Sequence, residues 1–246
     1  MPEPISIYQY PPLSEGILLR RYKRFFAEIQ LTTGQVITAH CPNTGPMTGI
    51  STPGSAVQVS HSDSPTRKLK YTWEMIQVQD NKTPAWVGVN TGLPNRLVLR
   101  TLEAGLLPEL GSYRVIRKEI PYGLENSRID FLLEGDELPI YLEVKSTTWA
   151  KGALALFPDT VTIRGQKHLR ELTALAVPDQ SRSVILYFIN RGDCNCFAPG
   201  DSADPAYGKY LRAAVAAGVE VLPCRFEITP QGVTFLGLAE TLLQEP

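Results

Sequence analysis

Soft metal ligands are scarce in this chain. Among 246 residues there are four cysteines, at 41, 194, 196 and 224, and three histidines, at 40, 61 and 168. No two cysteines stand in a CxxC spacing, so a zinc site is not expected. Cys194 and Cys196 alternate around Asn195 and read as small buried side chains on one face of a strand. Long apolar runs are missing too. Nothing approaches the ~18 consecutive apolar residues of a membrane helix, and residues 1–15 lack a basic start followed by an apolar stretch. The expectation is a cytoplasmic protein with no membrane partner. Net charge is also absent, at −1. That excludes a globally basic polyanion binder and leaves local clustering of cations as the feature to examine.

The chain divides by pattern rather than by linker. Residues 1–90 are β-rich, with strands expected at 25–31, 35–40, 56–60, 71–79 and 85–90, separated by turn residues such as Thr33-Gly34, Pro53-Gly54 and Asp80-Asn81. Five short strands in this length fit an OB-like small β-barrel. Residues 91–246 alternate between periods. A helix is expected from Asn95, as N-cap, to about Leu107, then strands at 113–119, 128–133 and 140–145. A helix follows from about Arg164 to Val177, then a strongly apolar strand at 183–188, a helix at 206–217 closed by Gly218, and a strand at 219–223. The fold class is therefore α/β with an all-β N-terminal part, the second part being a mixed sheet buried on both faces.

Charge inside two of these strands carries the chemistry. Side chains alternate across a strand, so Tyr141, Glu143 and Lys145 share one face while Ile140, Leu142 and Val144 enter a core. On the neighbouring strand, Arg128 and Asp130 point away from the core that Ile129, Phe131 and Leu133 enter. Glu134-Gly135-Asp136 reads as the connecting turn, which sets Asp130 beside Glu143. Two adjacent carboxylates repel unless a cation or proton relieves them. A hard divalent ion, Mg²⁺ or Mn²⁺, takes such oxygens and keeps several waters, with Glu103 as a third carboxylate. Lys145, about 7 Å along the strand from Glu143, is placed to orient water. A cross-strand salt bridge among Asp130, Glu143, Lys145 and Arg128 would use the same residues.

Two basic features complete the inventory. Arg164, Gln166 and Lys167 open a helix, where backbone N–H groups favour a phosphate; they and Arg128 are candidates to flank the acidic set. His168 reads as a packing residue on the face of Leu172. Near the amino end, Arg20-Arg21-Tyr22-Lys23-Arg24-Phe25-Phe26 interleaves cations with aromatics. Cations neutralise phosphates and aromatic faces stack on bases, with Lys68 and Lys70 as the opposite wall of such a groove. The alternative is a charge-protected strand edge with Phe25 in the core. The turn His40-Cys41-Pro42-Asn43-Thr44-Gly45 is suited to hold an anion or to contact the second part, and its use by a small-molecule enzyme is a third possibility.

Residues from about Asn95 to Phe188 resemble the core of the PD-(D/E)XK nuclease superfamily, with Asp130 on the second strand and Glu143-Val144-Lys145 on the third. Ile129 stands where proline often precedes the aspartate. The stretches 21–25, 40–45, 68–72, 127–131, 143–146 and 157–169 make the whole chain resemble the sugar fermentation stimulation protein A family. The resemblance implies an OB-like domain over 1–90, a nuclease-like domain over 91–246, and DNA as partner, double-stranded rather than single-stranded. It puts Asp130, Glu143 and Lys145 in the nuclease positions. A homodimer is compatible with it. The function expected is DNA binding with a metal-dependent nuclease-like site; the alternative is a non-enzymatic DNA-binding regulator of sugar metabolism that keeps the nuclease fold as scaffold.

Overall fold

A computed structural model describes residues 5–81, 83–123 and 127–244. The first part contributes β1 (Ile5–Gln9), β2 (Leu13–Tyr22), β3 (Phe26–Leu31), β4 (Val36–His40), β5 (Ala56–His61), β6 (Tyr71–Val78) and β7 (Ala85–Gly88). Strands β2 to β6 run in the order β4-β3-β2-β5-β6, and a parallel pairing of β4 with β6 closes the ring. A five-stranded ring closed in this way is an OB barrel. Inward side chains alternate as the pleat requires: Ala27, Ile29 and Leu31 from β3 meet Leu18, Ile37, Val57, Val59 and Trp73 in the barrel core. Gly16 sits where a Cβ would lie 2.7 Å from the Gln30 carbonyl oxygen, so β2 and β3 approach only because it is glycine.

One barrel strand differs from the sequence expectation. Residues 85–90 are not its fifth strand; β2 is. Strand β2 hides from a hydrophobic-alternation reading because its outward residues Ile17 and Leu19 are apolar and exposed, while Arg20 and Arg21 look like loop. Strand β7 instead joins the two parts, pairing with β6 on one side and with β15 at Trp86↔Ile228 on the other. Nor does β1 belong to the barrel: it pairs with β16, so residues 5–9 add to the second part's sheet.

That second part comprises α1 (Pro94–Glu103), β8 (Val115–Tyr122), β9 (Ser127–Glu134), β10 (Ile140–Thr147), β11 (Trp149–Lys151), β12 (Leu154–Phe157), α2 (Ile163–Leu175), β13 (Arg182–Ile189), β14 (Cys196–Pro199), α3 (Pro205–Ala216), β15 (Glu220–Ile228), β16 (Gly232–Leu238) and β17 (Glu240–Thr241). The sheet continues as β7-β15-β13-β10-β9-β8, with β10, β13 and β15 parallel and β9 and β8 antiparallel. Leu97, Val98 and Leu102 of α1 cover one face. Leu169 and Leu172 of α2, with Leu211 and Ala214 of α3, cover the other. Burial on both faces explains the unbroken apolar run of β13. Strands β11, β12, β14 and β17 form a separate small sheet. Cys194 is buried just before β14, but Cys196 is only half-buried. Among the described residues no helix is long and apolar enough to cross a membrane.

Candidate active site

The site forms where regular pairing lapses. The β9–β10 ladder runs from Ile140↔Leu133 to Leu142↔Phe131 and stops there. On the other side, Lys118↔Phe131 and Ile120↔Ile129 are paired while Glu119 and Asp130 are skipped. Glu119 has φ of 53°, a left-handed conformation unusual for a side-chain-bearing residue. Side-chain parity changes across this irregularity: Phe131 and Leu133 enter the α1-side core, but Ile129 enters the α2-side core. The expected common face for Ile129, Phe131 and Leu133 is therefore corrected. Asp130 lies in the resulting notch between β9 and β10.

Asp130 is held by two donors. Asn95 Nδ2 donates to its Oδ1 at 2.7 Å, and the Val144 backbone N–H donates to its Oδ2 at 2.7 Å. The carboxylate thus takes the place of the β9 partner that Val144 lacks, its other edge being paired with Leu186 of β13. Asn95 is not the helix cap; Leu93 occupies that position, with Pro94 opening α1. Burial, then the charge of Glu143, pushes the Asp130 pKa up to about 6, against the opposing pull of its hydrogen bonds and Lys145.

Glu143 is 3% exposed. Its Oε1 accepts from Lys145 Nζ at 2.6 Å and contacts His168 Nδ1. Lys145 Nζ is also 3.0 Å from His168 Nδ1. On the far side of the imidazole, Arg164 Nε donates to His168 Nε2 at 3.3 Å. Burial alone would raise the Glu143 pKa, but Lys145 and His168 outweigh it and hold it below the ordinary value. Glu143 Oε2 is buried without a hydrogen-bond partner among the described residues, as is the hydroxyl of Tyr122. That phenol is raised by burial and then by Glu143, Glu171 and Asp130. An acceptor oxygen orphaned beside a second carboxylate is a suitable ligand for a cation. No group of three His, Cys, Asp or Glu side chains converges among the described residues. Asp130 and Glu143 are thus the two carboxylates that could hold a cation here, and a hard divalent ion with two carboxylate ligands keeps several waters.

Several expected site residues are placed elsewhere. Glu103 ends α1, about 12 Å along the helix from Asn95, and lines a separate groove with Gly111, Tyr113 and Arg114. It is not a third ligand. Gln166 is buried with its amide on both oxygens of Asp204, 3.0 Å each. The same carboxylate accepts from Thr162 N at 2.9 Å and caps α3 through Tyr207 N at 3.0 Å. Asp204 thus already occupies the start of α2, so the phosphate reading of that helix start is corrected. Arg164 does reach the site, through His168. Lys167 is half-buried on α2. Arg128 is exposed and donates to the carbonyl that Glu119 turns outward, at 2.8 Å. His168, read as packing, belongs to the acid–base cluster. The signal was its place four residues after Arg164 on the helix that crosses the Glu143 strand.

The basic stretch separates into structural and exposed cations. Arg21 donates to the carbonyls of Asn43 at 2.9 Å and Gly45 at 2.8 Å, fixing the Pro42–Gly45 turn instead of facing a ligand. That turn contacts the second part, since Thr91 Oγ1 donates to Pro42 O at 3.0 Å. Arg20 pairs with Glu28 at 2.5 Å and lies over the Tyr22 ring. Lys23, Arg24 and Phe25 form the β2–β3 hairpin tip, where Phe25 is 49% exposed and not in the core. Lys68 is exposed on the β5–β6 loop, and Lys70 ties that loop to Ser64 O at 2.7 Å. Phe26↔His40 and His40↔Thr72 pairing puts hairpin and loop at one end of the barrel.

A closed OB barrel followed by a mixed α/β sheet, with Asp130 and Glu143-x-Lys145 at a break between strands, defines the class as an OB domain joined to a mixed α/β domain. Residues 19–89 match the SfsA N-terminal OB domain, and residues 92–232 match the sugar fermentation stimulation protein RE domain. The chain belongs to the sugar fermentation stimulation protein (SfsA) family. It is 69% identical to a sugar fermentation stimulation protein homolog from Cyanothece sp., covering 96% of this chain and 98% of that one. It is 66% identical to a homolog from Nostoc sp., with the same coverage. A solved structure, Pyrococcus furiosus SfsA in complex with Ca²⁺, superposes with a TM-score of 0.85 at 27% identity, covering 97% of this chain and 99% of that one.

Proposed function

We propose that this family member binds DNA through the barrel end and carries a divalent-cation-dependent phosphodiester-hydrolysing site in the β9–β10 notch. The observation that carries the reading is the buried, orphaned Oε2 of Glu143 beside Asp130. Its relative from Pyrococcus furiosus is described in complex with Ca²⁺, which supports a cation in this fold. Asp130 and Glu143 would hold the ion, which when bound polarises a phosphoryl oxygen and acidifies a water. Asn95 and the Val144 N–H fix the orientation of Asp130. His168 and Lys145 anchor Oε1 of Glu143, leaving Oε2 for the ion. Lys145, 11% exposed at its side chain and 2.6 Å from Glu143 Oε1, offers charge to a developing phosphorane. Lys23, Arg24 and Lys68 supply phosphate contacts, and Phe25 a stacking face, on the hairpin and β5–β6 loop that OB barrels use for oligonucleotides.

The test is incubation of the pure protein with supercoiled, linear and single-stranded DNA in Mg²⁺ or Mn²⁺, with Asp130→Ala as control. Cation-dependent nicking lost in the variant is the expected result; equal nicking by the variant would assign the activity to a contaminant. A second reading, a DNA-binding regulator that does not cut, draws on the 2.6 Å bond that commits Lys145 to Glu143. It expects mobility shifts with no cleavage under any cation.

A further inference from the structure

The two most solvent-exposed large apolar side chains among the described residues stand together. Val161 is 61% exposed and Ile163 is 69% exposed. They flank Thr162, whose N–H is bound by Asp204 Oδ2 at 2.9 Å and whose hydroxyl caps Gly165 N at 3.1 Å. Two residues before Val161, Asp159 Oδ2 accepts from Thr48 N of the barrel at 3.4 Å. The backbone between the apolar pair is thus pinned, and its two β-branched side chains project from a fixed platform. One position further on, Arg164 leads through His168 to Glu143.

We propose that Val161 and Ile163 form an apolar wedge that enters a base step of duplex DNA held at the β9–β10 notch. The proposal rests on the DNA reading above. The size of the feature selects the occupant. A stable protein interface takes about 800 Å² from each partner, far beyond two side chains. A helix lying on a membrane needs an apolar stripe along several turns, whereas α2 continues with Arg164, Lys167 and Arg170. One or two apolar side chains beside cations match a base step between its phosphates, and wedges of this kind unstack and kink a duplex.

The test uses the full chain and duplexes carrying 2-aminopurine at successive positions, with anisotropy reporting binding in the same titration. Wild type is expected to bind and to raise fluorescence at one step. Val161→Ser with Ile163→Ser is expected to abolish that rise and weaken duplex binding about tenfold, while Ile163→Leu keeps both. Binding without a fluorescence rise at any step, or a rise that survives the double substitution, overturns the wedge and leaves DNA binding intact. Absence of any binding by wild type overturns the DNA reading and the wedge with it. Co-sedimentation with phosphatidylserine vesicles that the double substitution removes would assign the pair to a membrane and overturn the proposal.

Discussion

The barrel tip and the β9–β10 notch both concentrate charge, and they do so in opposite ways. At the tip, Lys23 and Arg24 are exposed, and both have left-handed backbones with φ of 49° and 62°. Their charges stand in water, where each is screened and contributes weakly to stability. At the notch, Glu143, Lys145 and His168 are buried or nearly so and bonded to one another. The Glu143 and Lys145 charges are fixed in place, and Glu143 Oε2 is left without a hydrogen-bond partner among the described residues. An exposed cluster suits diffuse, salt-sensitive contact with a polyanion; a buried one with an orphaned oxygen suits a single ion at one position.

The seam between the two regions should give the largest effect. Arg191 is 1% exposed and pairs with Asp80 of the barrel's β6–β7 loop at 2.8 Å and with Asp193 at 2.7 Å. Asn81 joins the network by donating to Asp193 Oδ2 at 2.7 Å. Removing one member of a buried ion pair strands the others, typically costing about 3–5 kcal/mol. Arg191→Ala is expected to lose that much in urea unfolding. If the loss were below about 1 kcal/mol, the two regions would not depend on this lock and their comparison as coupled units would fail.

The notch comes next, and its sign is opposite to that of an ordinary salt-bridged aspartate. The folded pKa of Asp130 is raised to about 6, so the folded state binds the proton more tightly than the unfolded chain, whose aspartates titrate near ~3.9. Stability from this group therefore falls as pH rises from about 4 to about 6 and stays low above that. Asp130→Asn, which cannot titrate, is expected to lose this pH dependence, amounting to about 3 kcal/mol between pH 4 and pH 8 in wild type, whatever its stability at any one pH. Thermal denaturation across that range measures it. A divalent cation should stabilise wild type at pH 8 and leave the variant unmoved. Equal stabilisation of both would place the ion elsewhere.

Much of this arrangement was legible in the sequence, for definite reasons. Glu143 and Lys145 could be placed on one face because β10 keeps strict alternation, and the apolar run of β13 announced a strand buried on both faces. The OB topology was recovered although β2 was missed, since turn residues marked the other barrel strands. What escaped depended on backbone irregularity or long-range partners. Nothing in the letters signals that Glu119 adopts φ of 53° or that side-chain parity changes along β9 near Asp130. Asn95 resembled a cap until its amide was seen on Asp130. Gln166 and Arg21 carry the right chemistry for a ligand, but Asp204 and the Asn43 and Gly45 carbonyls engage them first. A polar residue's type shows what it can bond, not which partner lies nearest once the chain has folded.

The smallest expected effect is at the barrel tip, and it is diagnostic because two readouts should move apart. Arg24 has φ of 62°, which costs a non-glycine residue roughly 1 kcal/mol, while asparagine visits that region more readily. Arg24→Asn is therefore expected to raise stability by about 0.5 kcal/mol. The same change removes an exposed cation. DNA affinity should fall, and the slope of log K against log salt should flatten by about 0.9 if this side chain neutralises one phosphate. Greater stability with weaker, less salt-dependent binding would mean that the hairpin holds an unfavourable backbone to present charge. Greater stability with unchanged binding would remove Arg24 from the interface and leave Lys23 and Lys68 as its cations.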